Sequence, residues 1–170
     1  LGKIYNSADK YVQNIVIPSK KERKNILLWR PSDISKIEEV TSKGGNWIIL
    51  IKSATNILRG DNFVFVYPEL LQNKTIVRRG EVITSEILEK KDLDYKQINS
   101  KIKTLLRKTR DEIKLRGSIV NEITTRGDFI KKIRDTLKIN QNNKYRLEVV
   151  SLKDSKTADP IIVDLNISIL

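Results

Sequence analysis

LDYKQINSKIKTLLRKTRDEIKLR, residues 93–116, is the stretch whose reading decides the fold class. Ile98, Ile102, Leu105, Leu106 and Ile113, with Val120 beyond, gather on one side when turned by 100° per residue. That periodicity predicts a long amphipathic helix. Gly117 stands where such a helix would break or bend, as does Gly127 further on. A second helix is expected over about 128–139, with Ile130, Ile133 and Leu137 on one side and the polar exit Asn140 to Asn143 after it.

Beyond these helices the chain alternates with period two. Tyr145, Leu147 and Val149 are interleaved with Arg146 and Glu148, and Val163, Leu165, Ile167 and Ile169 with Asp164, Asn166 and Ser168. Strict alternation predicts strands with one buried face, and the KDSKTADP loop between them allows an antiparallel hairpin. Upstream, Ile26 to Trp29, Asn46 to Lys52 and Phe63 to Tyr67 read as strands, the last stopped by Pro68. Val12 to Ile17 also reads as a strand, ended by Pro18. Pro31-Ser32-Asp33 reads as a helix start with Ser32 as N-cap; Ile34, Ile37 and Val40 follow, and Gly44-Gly45 closes the helix. Thr75 to Arg79 and Glu81 to Ile83 are strand-like pieces split by Gly80, after which Thr84-Ser85-Glu86 opens a short helix through Lys90 or Lys91. The expected fold is α+β: an antiparallel or mixed sheet with helices at about 93–116 and 128–139 on one face, closed by a C-terminal β-hairpin. At 170 residues, with no repeat and no Gly/Ser linker, the chain reads as a single domain over 1–170.

Val77 to Leu88 (VRRGEVITSEIL) resembles the strand, Gly-Glu, strand, short-helix element of SAF-type β-clip domains. The resemblance is confined to those residues, and no activity or site is carried over from it.

Composition narrows the chemistry. The chain has no His and no Cys, so Ser-His-Asp and Cys-His catalysis, disulfides and thiolate zinc sites are excluded. No cofactor and no metal are expected, and no apolar run approaches the ~20 residues of a membrane-spanning helix. Cysteine usage says nothing of the compartment. Met is absent too, and the chain opens at Leu1; cleavage from a precursor and trimming of the chain are equally good explanations.

The net charge is +12, which attracts polyanions. Lys90 to Arg116 carries ten Lys/Arg against four Asp/Glu, half of that excess. Within it, Lys103, Arg107, Arg110 and Lys114 fall within about 60° of one another on a helix, opposite the apolar face, over ~16 Å. Such a stripe can follow several phosphates of a duplex. It can equally be a solvated face, its charges taken up by Asp111 with Arg107 and Lys114 and by Glu112 with Lys108 and Arg116. A second basic cluster is Lys20, Lys21, Arg23 and Lys24, expected in a loop. It has no evident aromatic platform; Tyr5, Tyr11 and Trp29 are the rings nearest in sequence, and single-strand binding by stacking needs several exposed rings.

There is no GxGxxG and no Walker A pattern. Arg59-Gly60-Asp61 reads as part of a turn. Glu89-Lys90-Lys91 and Asp154-Ser155-Lys156 have the acid-x-Lys spacing of metal-dependent nucleases, with Asp61 as a distant acid. The expected function is a non-catalytic, basic subunit of a larger assembly, virion- or ribonucleoprotein-like, touching nucleic acid phosphates or an acidic protein surface and other subunits. The alternatives are a pure protein–protein subunit that pairs through a sheet edge, and a carboxylate-metal nuclease.

Overall fold

The computed structural model describes residues 2–16, 26–89, 94–125, 133, 135 and 144–170. The fold is α+β, and the chain divides into two compact units, Leu1–Gln72 and Asn73–Leu170, where length and composition suggest one domain.

The first unit begins with α1 (Gly2–Val16), followed by β1 (Leu27–Leu28), α2 (Pro31–Ser42), β2 (Trp47–Ser53) and β3 (Val64–Gln72). Its sheet has the order β1-β3-β2, with β1 parallel and β2 antiparallel to β3. Val12 and Val16 of α1 pack with Ile26, Leu27, Val64 and Val66. The expected strand over Val12 to Ile17 is therefore helix as far as Val16. The reason is Asp9. It is a polar residue at a core position, and it hides the apolar spacing of α1. Its buried carboxylate accepts from the backbone N–H groups of Ile26 (2.8 Å) and Leu27 (2.9 Å) and from the Gln13 amide (2.6 Å). The Tyr5 hydroxyl donates to the Leu27 carbonyl at 2.8 Å. Burial first, and then the nearby Asp9 carboxylate, raise the Tyr5 pKa. Helix and strand are thus tied by polar contacts inside an apolar core.

Two boundaries in this unit differ from the sequence reading. Pro31, not Ser32, opens α2: Arg30 is the N-cap and Pro31 the first helical residue, a position that needs no N–H. β3 does not stop at Pro68 but runs to Gln72, with Pro68 opposite Ile51. β1 accompanies β3 only at Val64 and Phe65. Beyond that, among the described residues, β3 is an edge strand on that side, where proline is tolerated.

The second unit holds β4 (Thr75–Val77), β5 (Val82–Leu88), α3 (Tyr95–Leu115), β6 (Ile123–Thr125), β7 (Tyr145–Ser151), β8 (Ser155–Lys156) and β9 (Ile161–Ile169). The main sheet has the order β5-β7-β9-β6, antiparallel except for the parallel β6–β9 pair. β7 and β9 are the expected C-terminal hairpin. Tyr145, Leu147, Val149, Ile161, Val163 and Leu165 are fully buried. The loop between them is more ordered than a plain connection: β8 pairs with β4, and the Thr157 N–H donates to the Lys74 carbonyl at 3.0 Å.

The short helix expected from Thr84 is instead β5, so the Val77–Leu88 stretch also lacks the helix of the β-clip element it resembles. Thr84, Glu86 and Leu88 sit opposite Val149, Leu147 and Tyr145, with a bulge between Val82 and Thr84. Pairing with β7 outweighs the local helix-start signal of Thr-Ser-Glu. Of the helix expected over 128–139, only Ile133 and Asp135 are described; both are helical, and Ile133 is buried in the core. Its remaining residues, like Lys20, Lys21, Arg23 and Lys24, lie outside the described residues.

Candidate nucleic-acid interface

α3 starts at Asp94, whose carboxylate accepts from the Lys96 N–H at 3.3 Å. It ends in a Schellman turn. The Gly117 N–H donates to Lys114 (2.9 Å) and the Ser118 N–H to Ile113 (3.1 Å), with Gly117 at φ +102°. The helix packs on β5 and β7. Ile102, Leu105, Thr109 and Ile113 point inward and are buried. Thr109 donates to the Leu105 carbonyl at 2.8 Å and stands 2.5 Å from the Thr84 hydroxyl, which leaves Thr84 as the donor between them. This polar pair fixes α3 against β5.

The inward face determines the outward one. Lys103, Arg107, Arg110 and Lys114 are all exposed along α3, as the spacing required. Among the described residues no acidic side chain pairs with them. Asp111, expected to pair with Arg107 and Lys114, forms no ion pair among the described residues. Glu112 pairs with Arg116 at 2.8 Å, but Lys108 turns away from the helix and meets Glu86 of β5 at 2.7 Å.

The flanking cations of α3 are spoken for. Glu86 holds both Lys108 and, at 3.6 Å, Lys101. The Lys108 hydrogen bond, together with the charges of Lys108 and Lys101, holds the Glu86 carboxyl below the ordinary carboxylate range against the opposing effect of burial. Arg116 pairs with Glu81 and Glu112 and donates to the Ile76 carbonyl at 3.3 Å. The Glu81 carboxyl is lowered first by the Arg78 backbone N–H, at 2.9 Å, and then by Arg116. Glu112 and Glu81 in turn raise Arg116. The helix therefore carries two classes of cation: Lys101, Lys108 and Arg116, which lock it to its own fold, and exposed ones without an ion-pair partner among the described residues, Lys96 in its first turn and the row of Lys103, Arg107, Arg110 and Lys114. Glu86 is not visible as a partner of α3 in the sequence, because Val82-Ile83-Thr84-Ser85-Glu86 shows no clean alternation and the strand is bulged between Val82 and Thr84.

The acids singled out for metal chemistry have other occupations. Asp61 caps the turn of Arg59-Gly60-Asp61, accepting from the Leu58 N–H at 2.8 Å. Asp154 accepts from the Arg79 N–H at 2.7 Å. Among the described residues no three acidic side chains come together as a metal-binding group.

The rings behave differently from what proximity in sequence suggested. Tyr5 and Trp29 pack on each other, with ring centres 6.0 Å apart and planes tilted by 51°, and only Tyr11 of that trio is exposed. The other exposed rings among the described residues are Phe63, Phe65, Tyr67 and Trp47. An all-apolar alternation such as FVFVY does not say which of its two faces is buried. Comparison of the chain with protein-family models, with curated proteins and with solved structures finds no match to any of them.

Proposed function

We propose that this chain is a non-catalytic binding subunit of a larger assembly, virion- or ribonucleoprotein-like, that holds the phosphate backbone of nucleic acid along α3. The observation that carries the reading is the division of labour on that helix. The cations beside the sheet are neutralised by Glu81, Glu86 and Glu112, whereas Lys103, Arg107, Arg110 and Lys114 form an exposed row without ion pairs among the described residues. A row of that kind releases counterions when it meets phosphates and reads no bases.

The test replaces all four with Gln, which nearly preserves helix propensity. Affinity for duplex nucleic acid is expected to fall for every sequence alike. The slope of log affinity against log salt is expected to drop by about 0.9 per lost contact, about 3–4 in all. An unchanged slope in a folded variant would make the row a solvated face. One observation favours a second reading, a protein–protein subunit. β6 covers β9 only at Ile161, Ile162 and Val163, so among the described residues the edge of β9 beyond Val163 is open to strand addition.

A further inference from the structure

Three rings stand in the open along one strand of the first unit. Phe63, just before β3, is 59% exposed, Phe65 is 58% and Tyr67 is 45%, while Val64 and Val66 between them are buried. The period of two thus places Phe65 and Tyr67 on the face of β3 opposite to its core face. Exposed rings in sequence steps of two are unusual in a chain with only 6% aromatic residues, and each leaves a large apolar area in water. The step along the strand is about 6.8 Å. That is twice the ~3.4 Å axial rise per nucleotide of one duplex strand, so neighbouring rings on the strand match bases drawn out of their stacking distance.

Polar groups frame the rings. Phe65 and Tyr67 share a depression of about 330 Å³ with Leu28, Arg30, Asp33 and Thr55. In the register of the sheet, Lys52 lies directly opposite Tyr67 and Leu28 opposite Phe65. Arg30 is exposed and has no ion pair among the described residues. Lys52 pairs with Glu69, and an exposed pair of this kind exchanges partners at little cost. Asp33 opposes a phosphate in the depression itself, but its carboxylate can accept from the exocyclic amine of a base.

We propose that this face of β3 is a stacking platform for the unpaired bases of single-stranded nucleic acid, with Phe65 and Tyr67 beneath bases and Arg30 and Lys52 beside phosphates. The proposal rests on the reading of the chain as a nucleic-acid-binding subunit and adds to it a preference for unpaired strands. Aromatic grooves also take proline-rich peptides; the +12 charge of the chain and Arg30, which has no ion pair among the described residues, favour the polyanion, for which Glu69 must release Lys52.

The experiment measures binding of the full chain to a labelled single-stranded oligonucleotide and to a duplex of the same length, by fluorescence anisotropy. The variant Phe65→Leu/Tyr67→Leu keeps apolar bulk but removes the π-faces. It is expected to weaken single-strand binding by about 10- to 100-fold and to leave duplex binding and the thermal unfolding curve unchanged. The α3 quadruple Gln variant is expected to weaken both. Unchanged single-strand binding in the Leu variant, with duplex binding intact, overturns the platform and leaves the α3 reading in place. Equal loss of both ligands in a folded Leu variant also overturns it, because the rings would then not select unpaired bases. If the unaltered chain binds neither nucleic acid, both readings fall, and capture of a proline-rich peptide instead would reassign the face.

Discussion

The two units use their surfaces in opposite ways. Residues 1–72 carry eleven Lys/Arg against seven Asp/Glu, a net +4, and residues 73–170 carry 22 against 14, a net +8. All of the exposed rings among the described residues (Tyr11, Trp47, Phe63, Phe65 and Tyr67) belong to the first unit. Among its described residues, the large apolar side chains that the second unit leaves in the open are aliphatic, such as Val82, Ile87 and Leu115, and four of its exposed cations stand in a row on α3. Their interiors differ as well. Among the described residues, the polar ones buried in the second unit, Thr109, Ser151, Ser155 and Thr157, are hydroxyls and carry no charge. The first unit, with a smaller core, relies on a buried carboxylate, Asp9, to join α1 to β1. A small core that gains less from apolar burial depends more on each buried hydrogen bond.

That contrast can be broken in three places. The largest effect is expected from removing Val163 to Leu170. Val163 and Leu165 are fully buried, and the deletion strips β7 of most of its partner strand. The loss exceeds what a marginally stable domain tolerates, so slow amide hydrogen exchange in β5 and β7 is expected to disappear. Protection that persists in β2 and β3 would show that the units fold separately; its simultaneous loss would show that they do not. An unaltered melting temperature would refute a structural role for the strand.

A smaller effect is expected from Asp9→Ala in the first unit. The substitution leaves the Ile26 and Leu27 N–H groups without their acceptor, at about 2–4 kcal/mol in urea unfolding. Asp9→Asn keeps one acceptor oxygen and should cost less. If Asp9→Ala unfolds at the same urea concentration as the parent, the first unit does not depend on its polar tie, and the contrast between the two interiors fails.

The smallest effect concerns pH and the second unit. The Glu81 and Glu86 carboxyls are held below the ordinary carboxylate range in the folded state. A lowered folded pKa means stability that is fully present above the unfolded value and is lost as pH falls through the folded one. Melting temperature is expected to decline from about pH 5 toward pH 3. Glu81→Gln/Glu86→Gln should flatten part of that decline. Because these pairs are partly exposed, each contributes about 1 kcal/mol or less. An identical acid profile in the double variant would mean that other carboxylates carry the transition.

Some of this molecule could be read from order along the chain. The 3.6-residue period of α3, the alternation of β7 and β9 and the exposed row from Lys103 to Lys114 depend only on local geometry: once a helix or strand forms with one face buried, the other face is set. Local patterns fail where a distant partner decides. Val12 to Ile17 reads locally as a strand, but α1 runs through Val16, and its Asp9 finds a buried place at the Ile26 and Leu27 amides. Thr84-Ser85-Glu86 looked like a helix start, but the ladder to β7 claims those residues for β5. Lys108 had Glu112 within reach on its own helix yet pairs with Glu86 of β5, and among the described residues Asp111 makes no ion pair with Arg107 or Lys114, which spacing alone allowed. The rings of FVFVY were visible at once, but which ring faced water depended on α1 packing against Val64 and Val66. Sequence determined periodicity and total charge, because both are properties of neighbouring residues. Tertiary structure decided which face was covered and which cation was neutralised, because both depend on residues brought together from far along the chain.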